Sequence, residues 1–159
     1  FQGVRYRQRL TRVVTRVSRT GDGPLYVVIG VAVWLAEIPR AEAFCLALIL
    51  AFAIERPFYF LLKIGLKRNR PEQVMPSIKA AVVPADQFSF PSGHTSAAFC
   101  FATIAGMLLT GPHNPFFLWA SAIGLSRIML AVHFPCDVMA GAIIGSTIAA
   151  ISIDLVSTL

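Results

Sequence analysis

Residues 88–101 read FSFPSGHTSAAFCF. Pro91, Ser92 and Gly93 are turn formers, which punctuate a chain rather than extend an element. His94 follows them at the mouth of an apolar run that reaches residue 110. A turn that opens straight into such a run is the start of a helix. The run is almost long enough to cross a bilayer, which takes about 20 residues. The stretch thus sets a titratable imidazole at the polar edge of a membrane helix.

The rest of the chain is built the same way. Of 159 residues, 56% are hydrophobic and 14% charged, with a mean hydropathy of +0.69. A soluble domain carries roughly 25% charged residues, so these values favour a polytopic membrane protein of single-domain length. Four more apolar segments flank the first: residues 24–37, 41–66, 115–132 and 135–158. The pattern predicts an all-α membrane helix bundle of about five transmembrane helices, with the first of marginal length. The connections 37–42 and 111–115 are short, and the long one is 67–91. Gly141, Gly145 and Ala149 recur four apart in the last segment, a spacing that lets helices pack closely within a bundle in lipid.

Residues 4–19 differ. Arg5, Arg7, Arg9, Arg12, Arg16 and Arg19 come without an acid, while Tyr6, Leu10, Val13, Val14 and Val17 recur at helical spacing. That pattern predicts an amphipathic helix lying on a membrane surface, ended by the turn residues TGDGP at 20–24. The formal net charge of +6 fits anionic lipid in such a chain, and no nucleic-acid partner is expected. Residues 1–3, FQG, read as a tag remnant, and no cleavable signal peptide is visible. The expected organisation is one domain over 4–159, with a surface helix at 4–19 and a bundle at 24–158. Cys45, Cys100 and Cys136 form no CxxC and no metal-ligand spacing, and read as small hydrophobes.

Charges are costly inside a bilayer and face a bundle interior or a site. Here they gather at one end of the helices. Lys63 lies near the end of the second segment and Arg70-Pro71 follows it. Ser92, Gly93 and His94 open the third. Ser126 and Arg127 lie near the end of the fourth, and His133 and Asp137 flank the start of the fifth. Helices that alternate in direction bring all three groups to one face. Three cations and the N–H groups of a helix start make a site for a multiply charged oxyanion. His133 with Asp137 reads as a nucleophile or base with its orienting carboxylate. His94 is a second imidazole, free to serve as the acid. A phosphate ester needs that set: clamps for its oxygens, a nucleophile in line, and a proton donor for the leaving group. Spacing alone does not say which histidine attacks.

These residues resemble the three-part signature of the type 2 phosphatidic acid phosphatase superfamily. Its K-x6-R-P motif reads Lys63-IGLKRN-Arg70-Pro71, its P-S-G-H is Pro91-Ser92-Gly93-His94, and its S-R-x5-H-x3-D is Ser126-Arg127-IMLAV-His133-FPC-Asp137. The resemblance covers residues 63–137. It implies a metal-independent, cofactor-free hydrolysis of lipid phosphates through a phosphohistidine. By the same resemblance His133 attacks phosphorus, Asp137 orients it, and His94 protonates the leaving oxygen. Lys63, Arg70, Ser92, Gly93 and Arg127 then hold the phosphoryl group. The substrates it implies are phosphatidic acid, phosphatidylglycerophosphate or an isoprenoid diphosphate. A lipid phosphotransferase with the same site, or a membrane scaffold or transporter with a decayed one, are the alternatives. The vanadate-dependent haloperoxidases resemble the anion pocket too, but they are soluble.

The chain departs from six-helix relatives by having a surface helix where a first span is usual. Two crossings separate the N-terminus from the site, so both share a side. The arginines of residues 4–19 mark that side as cytoplasmic by the positive-inside rule, in a multi-pass protein of the plasma (inner) membrane. Glu55 and Arg56 are adjacent mid-helix and are expected to pair with other helices rather than with each other.

Overall fold

A computed structural model describes residues 2–84, 86–111 and 115–158, with the side chains of residues 2–7 outside the description. The tip of the 111–115 connection, residue 1 of the FQG stretch and the side chains of Arg5, Tyr6 and Arg7 therefore lie outside the described residues. The described chain is helical without strands: α1 (Gln2–Arg19), α2 (Gly23–Leu35), α3 (Ala41–Leu66), α4 (Pro71–Val74), α5 (Gly93–Ala105), α6 (Phe116–Met129) and α7 (Pro135–Ser157). A π-helical turn, Gly106–Thr110, carries α5 onward. All five apolar segments are helices. Three of them, α3, α5 with its extension, and α7, are long and apolar enough to cross a membrane. The other two have 13 and 14 residues, about 20 Å at 1.5 Å per residue, short of the roughly 30 Å hydrocarbon core.

The breaks follow local chemistry. Pro24 enters α2 at its first turn, where a missing N–H costs nothing. Lys67 ends α3 in the left-handed region (φ 45°), its N–H still donating to the Lys63 carbonyl at 3.0 Å. Ala131 ends the α6 turn in the same region (φ 57°). That reversal sends the chain back toward the bundle two residues before His133.

α5 is the central post. It packs most extensively on α7, then on α6 and α3. The small-residue stripe of α7 lies on α5, as its spacing predicts. A Cβ at Gly141 would stand 2.6 Å from the Ser92 carbonyl oxygen, and one at Gly145 would collide with that of Ser96. Below this contact the core is aromatic: Tyr26, Phe44 and Phe101 are buried, and Phe101 meets Phe44, Phe116 and Trp119 edge-on, a favoured geometry for ring pairs.

The basic helix α1 docks on α6. Val14 is buried against Leu130 and Val132, while Leu10 and Val13 remain exposed. One edge of its apolar stripe thus packs on the bundle and the other is left uncovered. This docking brings the α1–α2 turn to the same end as the polar residues of α3, α5, α6 and α7.

Glu55 and Arg56 depart from expectation. They pair with each other, Arg56 Nε donating to Glu55 Oε2 at 2.5 Å. Backbone directions diverge for adjacent residues, but an arginine side chain is long enough to fold back. Glu55 is completely buried, and its own neighbour is the cation within reach.

Candidate active site

The polar ends of α3, α5, α6 and α7 do converge, and hydrogen bonds knit them together. The Ser92 N–H donates to the Asp137 carbonyl (3.0 Å), which ties the start of α5 to the start of α7. Arg70 Nη1 donates to the Val132 carbonyl at 2.5 Å, one residue before His133. Lys63 Nζ donates to the Phe88 carbonyl at 2.7 Å. Gly93 is required where it stands: a Cβ there would lie 2.7 Å from Tyr59 Cε2.

Arg70, Gly93, His94, Arg127 and His133 all line one cavity of about 1020 Å³. Lys63, Ser92 and Asp137 do not line it; each is buried behind the wall. Ser92 Oγ is paired with Thr95 Oγ1 at 2.9 Å, so the hydroxyl expected to face an anion is turned into the helix. Ser126 likewise bonds back along α6, to the Ile123 carbonyl at 2.6 Å.

The orientation of His133 differs from the sequence expectation. Its Nδ1–H donates to the Ser89 carbonyl oxygen at 2.6 Å, whereas Asp137 Oδ2 stands 3.8 Å from that nitrogen, beyond hydrogen-bond length. Asp137 acts one residue removed. It accepts the Ser89 hydroxyl, the Phe134 N–H at 2.8 Å and Arg68 Nη1 at 2.7 Å. With Nδ1 protonated, the lone pair is on Nε2. Burial pushes the His133 imidazole down to about 4, the Arg70, Arg127 and Lys63 charges push the same way, and Asp137 opposes them. The ring is therefore neutral at pH 7, the state a nucleophile needs.

This carries a pH prediction. An unfolded histidine titrates near 6.5, so as pH falls the unfolded chain takes up this proton before the folded one does. The stability linked to His133 is complete above about pH 6.5 and is lost as pH falls toward about 4. In a histidine-selective ¹⁵N titration in micelles, the His133 resonances should hold their neutral shifts down to about pH 5. A midpoint near 6.5 would contradict this picture of the buried ring.

His94 is not free. Its Nε2 meets Asp22 Oδ1 at 2.9 Å, and Asp22 is the residue before α2. Arg127 is held from the same region: its Nη1 donates to Ser18 Oγ of α1 at 2.6 Å. The sequence reading missed Asp22, Ser18 and Ser89, and the bond from Arg68 to Asp137, since none falls at a fixed spacing from the residues it serves. Asp86 and Tyr59 were missed as well. Lys63 and Arg70 both donate to Asp86 Oδ1, Arg70 at 2.7 Å, and the Tyr59 hydroxyl donates to Oδ2 at 2.6 Å. Burial alone would raise the Asp86 carboxyl. The hydrogen bonds from Lys63 and Tyr59 and the charges of Lys63 and Arg70 hold it below the usual carboxylate range.

Beyond its polar end the cavity is apolar. It runs between α2 and α3 past Val27, Val31 and Trp34 on one side and Leu46, Ile49 and Phe52 on the other, as far as Glu42. From Tyr59 to Glu42 that is about 25 Å of helix at 1.5 Å per residue. Arg56 lines it too.

The family model described as PAP2 superfamily matches residues 41–159. The chain is 30% identical over 135 residues to the probable lipid phosphate phosphatase beta of Arabidopsis thaliana, a match covering 67% of this chain. It spans 63% of the length of that protein and 49% of the length of a second curated relative. Among solved structures, LpxE of Aquifex aeolicus superimposes with a TM-score of 0.79 at 29% identity, covering 91% of this chain and 86% of that one. The transmembrane PAP2-type phosphatidylglycerolphosphate phosphatase of Bacillus subtilis gives 0.74 at 27%, covering 94% and 78%.

Proposed function

The chain belongs to the PAP2 superfamily, and from that premise we propose that it is an integral-membrane phosphatase acting on a lipid phosphate. The observation that carries this reading is a single cavity with two chemistries. At one end stand a neutral imidazole and the guanidinium groups of Arg70 and Arg127; the rest is an apolar groove between α2 and α3. A phosphorylated headgroup suits the first and a hydrocarbon chain the second.

The proposed chemistry starts with the His133 Nε2 lone pair attacking phosphorus while the P–O bond to the lipid breaks. His94 gives its proton to the departing oxygen, and Asp22 holds the ring for that step. Arg70, Arg127 and the N–H groups at the start of α5 take up the charge that develops on the phosphoryl oxygens. His94, now neutral, accepts a proton from water as that water attacks the phosphohistidine. Phosphate leaves and His133 is restored. Lys63, paired with the same Asp86 oxygen as Arg70, adds its charge to that clamp, and Ser92 serves the site from behind the cavity wall. No step calls on a metal ion.

Phosphatidic acid, phosphatidylglycerophosphate and isoprenoid diphosphates are the proposed substrates, for each presents a terminal phosphate on an apolar body. The test is phosphate release by the purified protein across those lipids with a chelator present. Release from at least one is expected; none from any, or release only after adding metal, overturns the reading. Arg9, Arg12, Arg16 and Arg19 are exposed on α1, whose Ser18 holds the site residue Arg127, which supports a cytoplasmic active site on an anionic lipid surface. A single cysteine introduced at residue 8 should resist an impermeant reagent in intact cells, and reaction there would reverse the orientation.

A further inference from the structure

Two of the cations assigned to the phosphoryl group already hold an anion, and it belongs to the chain. Lys63 Nζ and Arg70 Nη2 converge on one oxygen of Asp86, and the Tyr59 hydroxyl donates to the other at 2.6 Å. Two cations on one oxygen and a hydroxyl on its twin is how a phosphoryl group would be gripped. Asp86 also lines the cavity beside His133 and Arg127. A phosphoryl dianion brought to these cations meets a carboxylate of like charge, and at hydrogen-bonding range the two repel.

The backbone around Asp86 is held without help from its carboxylate. Arg70 Nε donates to the Asp86 main-chain oxygen at 3.1 Å, and the Ser89 N–H donates to the Arg68 carbonyl at 2.8 Å. The side chain is about one-third exposed, at 32%, so it has room to turn while the main chain stays. Resting on the phosphatase reading above, we propose that Asp86 is an internal competitor for the phosphoryl site. Its carboxylate swings off Lys63 and Arg70 when a phosphoryl group binds, and returns to help expel the phosphate product.

An internal competitor lowers the apparent affinity by the fraction of molecules in which it stands aside; a carboxylate that merely buttresses the two cations would raise it. Removing the charge therefore gives opposite signs for the two roles. Binding of inorganic phosphate to purified wild type and Asp86→Asn in detergent, followed by calorimetry, should show the variant about tenfold tighter. Its KM for the lipid and its Ki for phosphate should fall together. Tyr59→Phe, which frees one carboxylate oxygen and keeps the charge, should tighten phosphate roughly twofold. It carries the same test should the asparagine variant fail to fold. Affinity that is unchanged, weaker or undetectable in every form overturns the proposal. Phosphate release from lipid by the wild type is scored separately, so failure of the phosphatase reading is distinguishable from failure of this one.

Discussion

His133→Ala is expected to lower lipid phosphate release by roughly 10⁴-fold or more, because it removes the nucleophile that forms the phosphoenzyme. The ring is small and its one defined hydrogen bond goes to a main-chain carbonyl, so the fold should persist and the loss should be of kcat. His94→Ala should behave differently. A general acid contributes about 10²–10⁴-fold, and its share depends on how much the leaving oxygen needs a proton. The His94 variant should therefore recover most of the first step on p-nitrophenyl phosphate, whose phenolate leaves unaided. It should then stall at the second step, where His94 acts as base, and accumulate acid-labile phosphate on the protein. The His133 variant should carry no such label with any substrate. Substantial turnover by His133→Ala, or label on it, would reverse the two roles or end the phosphohistidine mechanism.

Asp137 should matter nearly as much, for a different reason. It is fully buried and accepts hydrogen bonds from Ser89, Phe134 and Arg68. Asp137→Ala leaves those donors unpaired, and buried donors without partners cost about 1–3 kcal/mol each. Arg68 is part-exposed and recovers some hydration, so the net loss of stability should be about 2–4 kcal/mol. Ser89 is the residue whose carbonyl fixes His133, and a loosened Ser89 misaims the nucleophile. Activity should fall by about 10²–10³-fold on that account. Asp137→Asn separates geometry from charge. It keeps an oxygen for Ser89 and Phe134, so thermal unfolding in detergent should move back toward wild type. Activity should stay low, because the carboxylate that faces the developing imidazolium is gone. Full activity in the asparagine variant would show that the charge has no part in catalysis.

Much of the molecule was legible from pattern alone. Apolar length and turn residues marked the helices, and a helix that must end at a membrane face puts its polar residues there. Lys63, Arg70, His94, Arg127, His133 and Asp137 could be grouped because alternating helices bring successive ends together. The partners of those residues were not legible. Asp22, Ser18, Ser89 and Asp86 sit in turns, in the long connection or on α1. Their positions follow from how those segments dock, not from any periodicity. Hence His94, read as free, is paired with Asp22, and the carboxylate expected on His133 gives way to a main-chain carbonyl.

The sequence by itself determined the apolar helical architecture, the end of the bundle where charge collects, and the residues able to handle a phosphoryl group. Hydrophobic length and the cost of burying charge are local properties of a chain, so they can be read along it. Only the tertiary structure decided which side chains face the cavity, which donor holds which ring, and that a carboxylate of the chain occupies the cation clamp. A hydrogen bond depends on tenths of an ångström and on the angle between elements far apart in sequence. Those are set when α1 docks on α6 and the 67–91 connection folds across the helix ends.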